Sequence, residues 1–129
     1  MNEIEREILK IHELFQAWYN GTIEQNSLVE IESKLSDSFY IVFPDATKNS
    51  KNDLTRMMEK DYGNDTSYRI EIKEIKVNLL TESVYLASYQ EWQFWDNEEE
   101  PQLKLQTTAV LREDNNMVEW MAIHETGVK

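Results

Sequence analysis

Two histidines, His12 and His124, are the side chains of this sequence that ordinarily titrate near neutrality. There is no cysteine, so thiolate metal ligands, cysteine nucleophiles and disulfides are excluded. His124 sits in the terminal run VEWMAIHET, where alternation puts it on one strand face with Val118, Trp120 and Ala122. An imidazole there could serve as acid or base, with Asp45 or Tyr89 as its partner. The other reading is a partly buried histidine donating to a backbone carbonyl. His12 lies beside Ile8, Ile11 and Phe15 on a helical pattern, at the edge of an apolar face. Two histidines so far apart in sequence do not form a metal-ligand motif, and neither a metal nor a cofactor is expected. Asp45 directly follows Pro44 and also reads as a turn residue.

A second group is large and apolar. Trp18, Phe43, Met57, Met58, Trp92 and Trp120 each read singly as core. Taken together, with two adaptable methionines, they suit the lining of an apolar pocket. Gln90, Ser88 and Thr107 are polar residues expected on the same inner face, where they need partners or a ligand. The expected ligand-binding set is therefore Trp18, Phe43, Met57, Met58, Gln90, Trp92, Trp120 and His124.

The elements that must hold these residues follow from periodicity. Val84 to Glu125 reads as three strands separated by the turns Asp96–Pro101 and Glu113–Asn116. The expected inner face is Val84, Leu86, Ser88, Gln90 and Trp92, then Leu103, Leu105, Thr107 and Ala109, then Trp120, Ala122 and His124. The opposite choice would bury Lys104, Arg112 and Glu119, and unpaired buried charges are costly. Upstream, Asn2 and Glu5 resemble a capping box, and Ile4, Ile8, Ile11, Phe15 and Trp18 keep helical spacing up to Gly21. The spacing predicts a helix over about 3–19. A shorter helix carries Leu28, Ile31 and Leu35, a strand FYIVF runs from Phe39 to Phe43, and Ser50 with Asp53 caps a third helix that closes at Gly63. A long strand over 67–79 changes apolar parity near Lys73–Glu74, as a β-bulge would make it do. The order is helix, helix, strand, helix and four strands, an α+β pattern.

Composition limits the partners. With 129 residues the chain is long enough for one domain with a substantial core. A net charge of -12 repels phosphate backbones and acidic membrane surfaces, so no nucleic acid and no membrane partner is expected. The acidic start MNEIEREILK has no apolar leader, and the reading is cytoplasmic.

Three stretches carry a family resemblance: helix one ending in AWYNGT, LSDSFYIVFPDAT leading into a helix, and the ending VEWMAIHET. In their order and spacing the sequence resembles the nuclear transport factor 2-like superfamily, especially its SnoaL-like and ketosteroid-isomerase-like bacterial members, over nearly its whole length. The resemblance implies one domain spanning 1–129. It implies a cystatin-like, cone-shaped α+β roll: a strongly bent, mostly antiparallel sheet wrapped around about three N-terminal helices, with an apolar pocket. It implies no single activity, because members include isomerases, dehydratases and cyclases as well as binding and dimerisation modules. Isomerase-like relatives carry a carboxylate base directly before the proline after the first strand. Here that residue is Phe43, with Asp45 one place beyond Pro44. Their helix-one tyrosine falls near Phe15, which has no proton to give.

The expected function is binding of a small apolar molecule in an aromatic pocket. The alternatives are an isomerase, dehydratase or cyclase using His124, and a dimerisation module without ligand. A homodimer is expected through the outer sheet face, where Tyr85, Ala87, Tyr89, Trp95, Val110, Met121 and Ile123 form an apolar set that no segment of the chain remains to cover.

Overall fold

The computed structural model describes residues 2–128. The helices end where the local chemistry ends them. Helix α1 (Glu3–Asn20) starts at Asn2, whose side chain accepts the Glu5 N–H at 2.8 Å. It stops at Gly21, which takes the left-handed φ of 76° that caps a helix. A 3-10 turn (Gln25–Ser27) leads into α2 (Leu28–Ser33). Helix α3 (Lys51–Asp61) opens on a reciprocal capping box between Ser50 and Asp53.

Six strands form a single curled sheet: β1 (Leu35–Val42), β2 (Lys48–Ser50), β3 (Arg69–Leu79), β4 (Val84–Phe94), β5 (Leu103–Asp114) and β6 (Met117–Gly127), in the order β2-β1-β6-β5-β4-β3. All neighbours are antiparallel except β1 and β6. The expected α+β architecture is present: three helices lie against a bent, unclosed sheet. The details that periodicity missed are the short β2, the earlier start of β1 at Leu35, and the parallel β1–β6 pair.

Bulges supply the bend. In β3 the register slips between Lys73 and Lys76, and Glu74 takes a left-handed φ of 55°. This is the parity change expected there, and it keeps Ile70, Ile72, Ile75 and Val77 on one side. A second slip lies in β6. Leu111 faces Trp120 and Val110 faces Ala122, so Met121 is the extra residue. Beyond it the faces exchange, and Ile123 and Glu125 point inward while His124 points outward.

The core lies between α1, α3 and the concave face. Ile4, Ile8, Ile11 and Trp18 of α1 pack there with Leu54 and Met58 of α3 and with Tyr89, Ala109, Leu111, Trp120 and Ile123 of the sheet. Each fully buried Ile, Leu or Met among them contributes about 1.5–3 kcal/mol.

The expected inner set holds for Leu105, Thr107 and Ala109 of β5 and for Trp120 of β6, all buried. It is inverted on β4. Ala87, Tyr89 and Glu91 are buried against the helices, while Ser88, Gln90 and Trp92 lie on the outer face. Two physical facts outweigh the alternation count: β4 is apolar on both faces, and the carboxylate of Glu91 has a partner inside. The outer apolar set is corrected with it. Tyr85, Ala87, Tyr89 and Ile123 belong to the interior.

Candidate functional site

His12 and Glu91 are brought together under the sheet. His12 is 3% and Glu91 6% exposed. The His12 Nε2 is 3.0 Å from Glu91 Oε1, and its Nδ1 is 2.7 Å from the carbonyl of Ile8. The other Glu91 oxygen accepts from Gln93 Nε2 at 2.6 Å. Burial by itself would raise the Glu91 carboxyl. The charge of His12 and the hydrogen bonds from His12 and Gln93 together outweigh it, and Glu91 is held below the usual carboxylate range. Both ring nitrogens of His12 thus lie within hydrogen-bond reach of an oxygen, and the Glu91 carboxylate is bonded on both of its oxygens.

A cavity of about 150 Å³ opens beside this pair. Its walls come from every layer: Phe15 and Tyr19 of α1, Leu54 and Met57 of α3, Ile41 of β1, Ile70 of β3, Tyr89 of β4, and Ile123 and Glu125 of β6. Burial, and then the charge of Glu91, push the Glu125 carboxyl up to about 8. Three tyrosines are raised as well, first by burial and then by acidic neighbours. These are Glu91 and Glu125 for Tyr89, joined by Asp61 for Tyr19 and by Tyr19 for Tyr68. All three remain O–H donors.

The cavity leads outward. Tyr19, Asp61, Tyr68 and Gln93 also line an open cleft of about 570 Å³ whose rim is Asn64, Asp65, Trp95 and Asp96. Paired chain reversals build this rim. The N–H of Asp96 donates to Asp65 Oδ2 at 3.2 Å, and the N–H of Asn97 donates to Ser67 Oγ at 3.2 Å. Asp96 and Asn97 take left-handed φ values of 57° and 58°, the pair a type I′ turn uses. The floor is fixed where α1 and α3 end side by side. Trp18 Nε1 donates to the Met58 carbonyl at 2.7 Å, and the Gly63 N–H donates to the Trp18 carbonyl at 3.0 Å.

The expected site residues fall into four places. Phe43 and Met57 line the cavity. Trp18, Met58 and Trp120 are buried in the surrounding core, with the Trp120 indole donating to Glu7 at 3.3 Å. Gln90 and Trp92 are on the outer face, bonded to each other at 3.0 Å with Lys104 over the indole ring. His124 is also outside and exposed, 3.3 Å from the Tyr40 hydroxyl, because the bulge at Met121 turned it over. Asp45 sits in an exposed turn, where Thr47 bonds to it and holds its carboxyl below the usual range. Of the catalytic candidates, Tyr89 alone reaches the cavity, from the face opposite to the one expected.

Glu91, Glu125, Tyr19 and Tyr68 are not among the site residues expected from sequence, and His12 was read there as a residue at the edge of an apolar face. The available signal was the lone charge in the apolar run SYQEWQFW, together with a histidine on the apolar face of α1. No group of three or more metal-ligating side chains occurs among the described residues.

The family model described as sucrose-6-phosphate phosphohydrolase C-terminal matches residues 4–129. Comparison with curated proteins finds no match. Among solved structures, the chain is similar to an NTF2-like protein of unknown function from Pseudomonas aeruginosa, at 21% identity over 98% of each chain and a TM-score of 0.90. It is similar to an NTF2-like protein of unknown function in nutrient uptake from Rhodospirillum rubrum, at 16% identity over 95% of this chain and 98% of that one, TM-score 0.68. A third, an uncharacterised cystatin-like protein from Caulobacter vibrioides, shares 13% identity over 99% and 92% of the two chains, TM-score 0.70. At these identities the likeness is one of fold.

Proposed function

Because the chain belongs to the sucrose-6-phosphate phosphohydrolase C-terminal family, we propose that it is a small-molecule-binding protein whose ligand lies in the cavity beside His12 and Glu91. The observation that carries this reading is the bonded His12–Glu91 pair, buried on the wall of a cavity that opens to solvent through a cleft. Concave, mostly apolar sites with a few fixed polar groups are where small ligands bind. The ligand is compact, since a cavity of this size admits a guest of about the size of benzene. Apolar walls from Phe15, Ile41, Phe43 and Leu54 supply contact area, and the polar groups orient the guest. The Rhodospirillum rubrum protein's role in nutrient uptake is compatible with a binding function. The family description points to sugars, but the acidic cleft opposes a phosphate ester.

A second reading, acid–base catalysis, is favoured by the two carboxyls of the cavity. Glu91 is held low and Glu125 is pushed up to about 8, and such separated pairs divide the roles of base and acid. In this reading Glu91 and Glu125 replace His124 and Asp45 as the groups at the reacting centre, and Tyr89 of the expected set stays beside them. A cytoplasmic location and a homodimer through the outer sheet face complete the proposal. The dimer surface is the outward-facing set Tyr40, Leu86 and Val110.

The binding reading is tested by thermal shift against a library of compact ring compounds. Stabilisation by some of them, lost in Met57→Trp with the fold intact, is expected, since Met57 is 40% exposed and lines the cavity. No stabilisation by any compound would contradict it.

A further inference from the structure

We propose that the pocket binds a primary amine as its ammonium ion, with the charged head in the neck between cavity and cleft and the apolar body inside. The inference rests on the binding reading and specifies its ligand class.

Tyr19, Asp61, Tyr68 and Gln93 line both the inner cavity and the outer cleft, and so they form the neck. The polar atoms they leave free are acceptors. A carboxylate can only accept, so the Gln93 amide bonds to Glu91 through its nitrogen, at 2.6 Å. The Gln93 carbonyl oxygen is therefore the free end. The Asp61 side chain makes no hydrogen bond or ion pair among the described residues, and it adds a carboxylate. The phenols of Tyr19 and Tyr68, packed edge to face at 5.5 Å, bring oxygens with lone pairs. A guest rich in N–H donors answers this set, and an ammonium carries three.

The electrostatics have the same sign. Asp61 is the last residue of α3, and α1 ends beside it at Asn20. The junction is tied by the Asp65 N–H, which donates to the Tyr19 carbonyl at 3.3 Å. Both helices thus turn the negative ends of their macrodipoles toward the neck, where a cation is stabilised and a carboxylate is disfavoured. Asp61 stands against this helix preference. Burial first, and then the charge of Asp61, push the Tyr19 hydroxyl up, which places that charge beside the phenol. No Lys or Arg lines the cavity or the cleft among the described residues. The one basic side chain there, His12, is already bonded to Glu91 and Ile8. An anion would find no free cation, and a neutral guest would leave the Asp61 charge unanswered. The aromatic lining of neck and rim, from Tyr19, Tyr68 and Trp95, also favours a cation.

The test uses the full chain and three guests that share one ring: benzylamine, benzyl alcohol and benzoate, titrated at pH 7 and followed by NMR. Benzylamine is expected to bind at least about tenfold more tightly than either of the others, the value of a hydrogen bond to a charged group. Asp61→Asn should weaken benzylamine by about the same factor and leave benzyl alcohol unchanged. The same variant should not unfold at a lower temperature, because it removes a charge that the end of α3 disfavours. Met57→Trp, which fills the cavity, should abolish benzylamine binding. Benzylamine that binds no more tightly than the alcohol or benzoate would overturn this inference and leave the binding reading standing. So would a benzylamine affinity unchanged by Asp61→Asn or by Met57→Trp. Failure of all three guests to bind would overturn both.

Discussion

Glu125 and Glu91 are two carboxyls of one cavity whose environments act in opposite senses, and the stability of the protein should record this. An unfolded glutamate ionises near pH 4.3. Native Glu125 holds its proton to about 8. Between those values the native state binds the extra proton, so the Glu125 contribution is full below about pH 4 and is lost as pH rises through about 8. Glu91, held low, acts the other way: its contribution is present above the ordinary carboxylate range and is lost as pH falls through its native value. Denaturant unfolding at pH 5 and pH 8.5 should show the wild type losing stability relative to Glu125→Gln by about 1 kcal/mol or more over that interval. Parallel profiles would contradict the placement of Glu125. At this scale the sequence was least legible. A glutamate in a strand reads as solvent-facing because an unpaired buried charge is prohibitive. Nothing in the local pattern reveals that His12, on a helix far upstream, will meet it.

The elements explain why most of the fold was legible and the inner face of β4 was not. Capping residues at Asn2, Ser50 and Asp53, the glycine at position 21 and the parity change in β3 are local signals, and each is realised locally. The facing of β4 is a tertiary choice. Both of its faces are apolar, and register with β5 decided the matter by setting Tyr89 opposite Thr107 and Glu91 opposite Leu105. The bulge at Met121 is likewise silent in sequence, because Val118 to Glu125 alternates acceptably in either phase. At the mouth of the cavity, α1 and α3 approach through glycine. A Cβ on Gly21 would lie 3.2 Å from the Gly63 Cα, and both residues have left-handed φ, 76° and 62°. Gly21→Ala should therefore cost about 1–2 kcal/mol from backbone conformation, with the close contact adding to it. Gly63→Ala meets only an ordinary contact at 3.5 Å and should cost less. The reverse order in chemical denaturation would contradict this account of the helix junction.

For the whole molecule, the resemblance to the nuclear transport factor 2-like superfamily holds at the level of fold, since the solved NTF2-like and cystatin-like proteins superpose over nearly the full chain. Periodicity and element order carried that result. No helix among the described residues is long and apolar enough to cross a membrane. The outer sheet face is more mixed than expected. Lys73 and Lys104 flank Trp92, and Lys48 lies over Tyr40, so basic side chains gather there on a chain of net charge -12. A dimer through this face is expected by light scattering at micromolar concentration, and Val110→Glu should shift it toward monomer. Tyr89→Glu would instead strike the interior. A wild-type monomer mass that does not change on concentration would end the dimer proposal.

The central claim is that the working centre lies inside the cone at His12 and Glu91, with His124 outside it. The two histidines are separate reporters of the two faces. Long-range ¹H–¹⁵N spectra of their imidazoles, recorded with and without benzylamine, test the claim most directly. The account predicts that the His12 signals move on saturation and that those of His124 stay in place. Movement of His124 with His12 unchanged would contradict it.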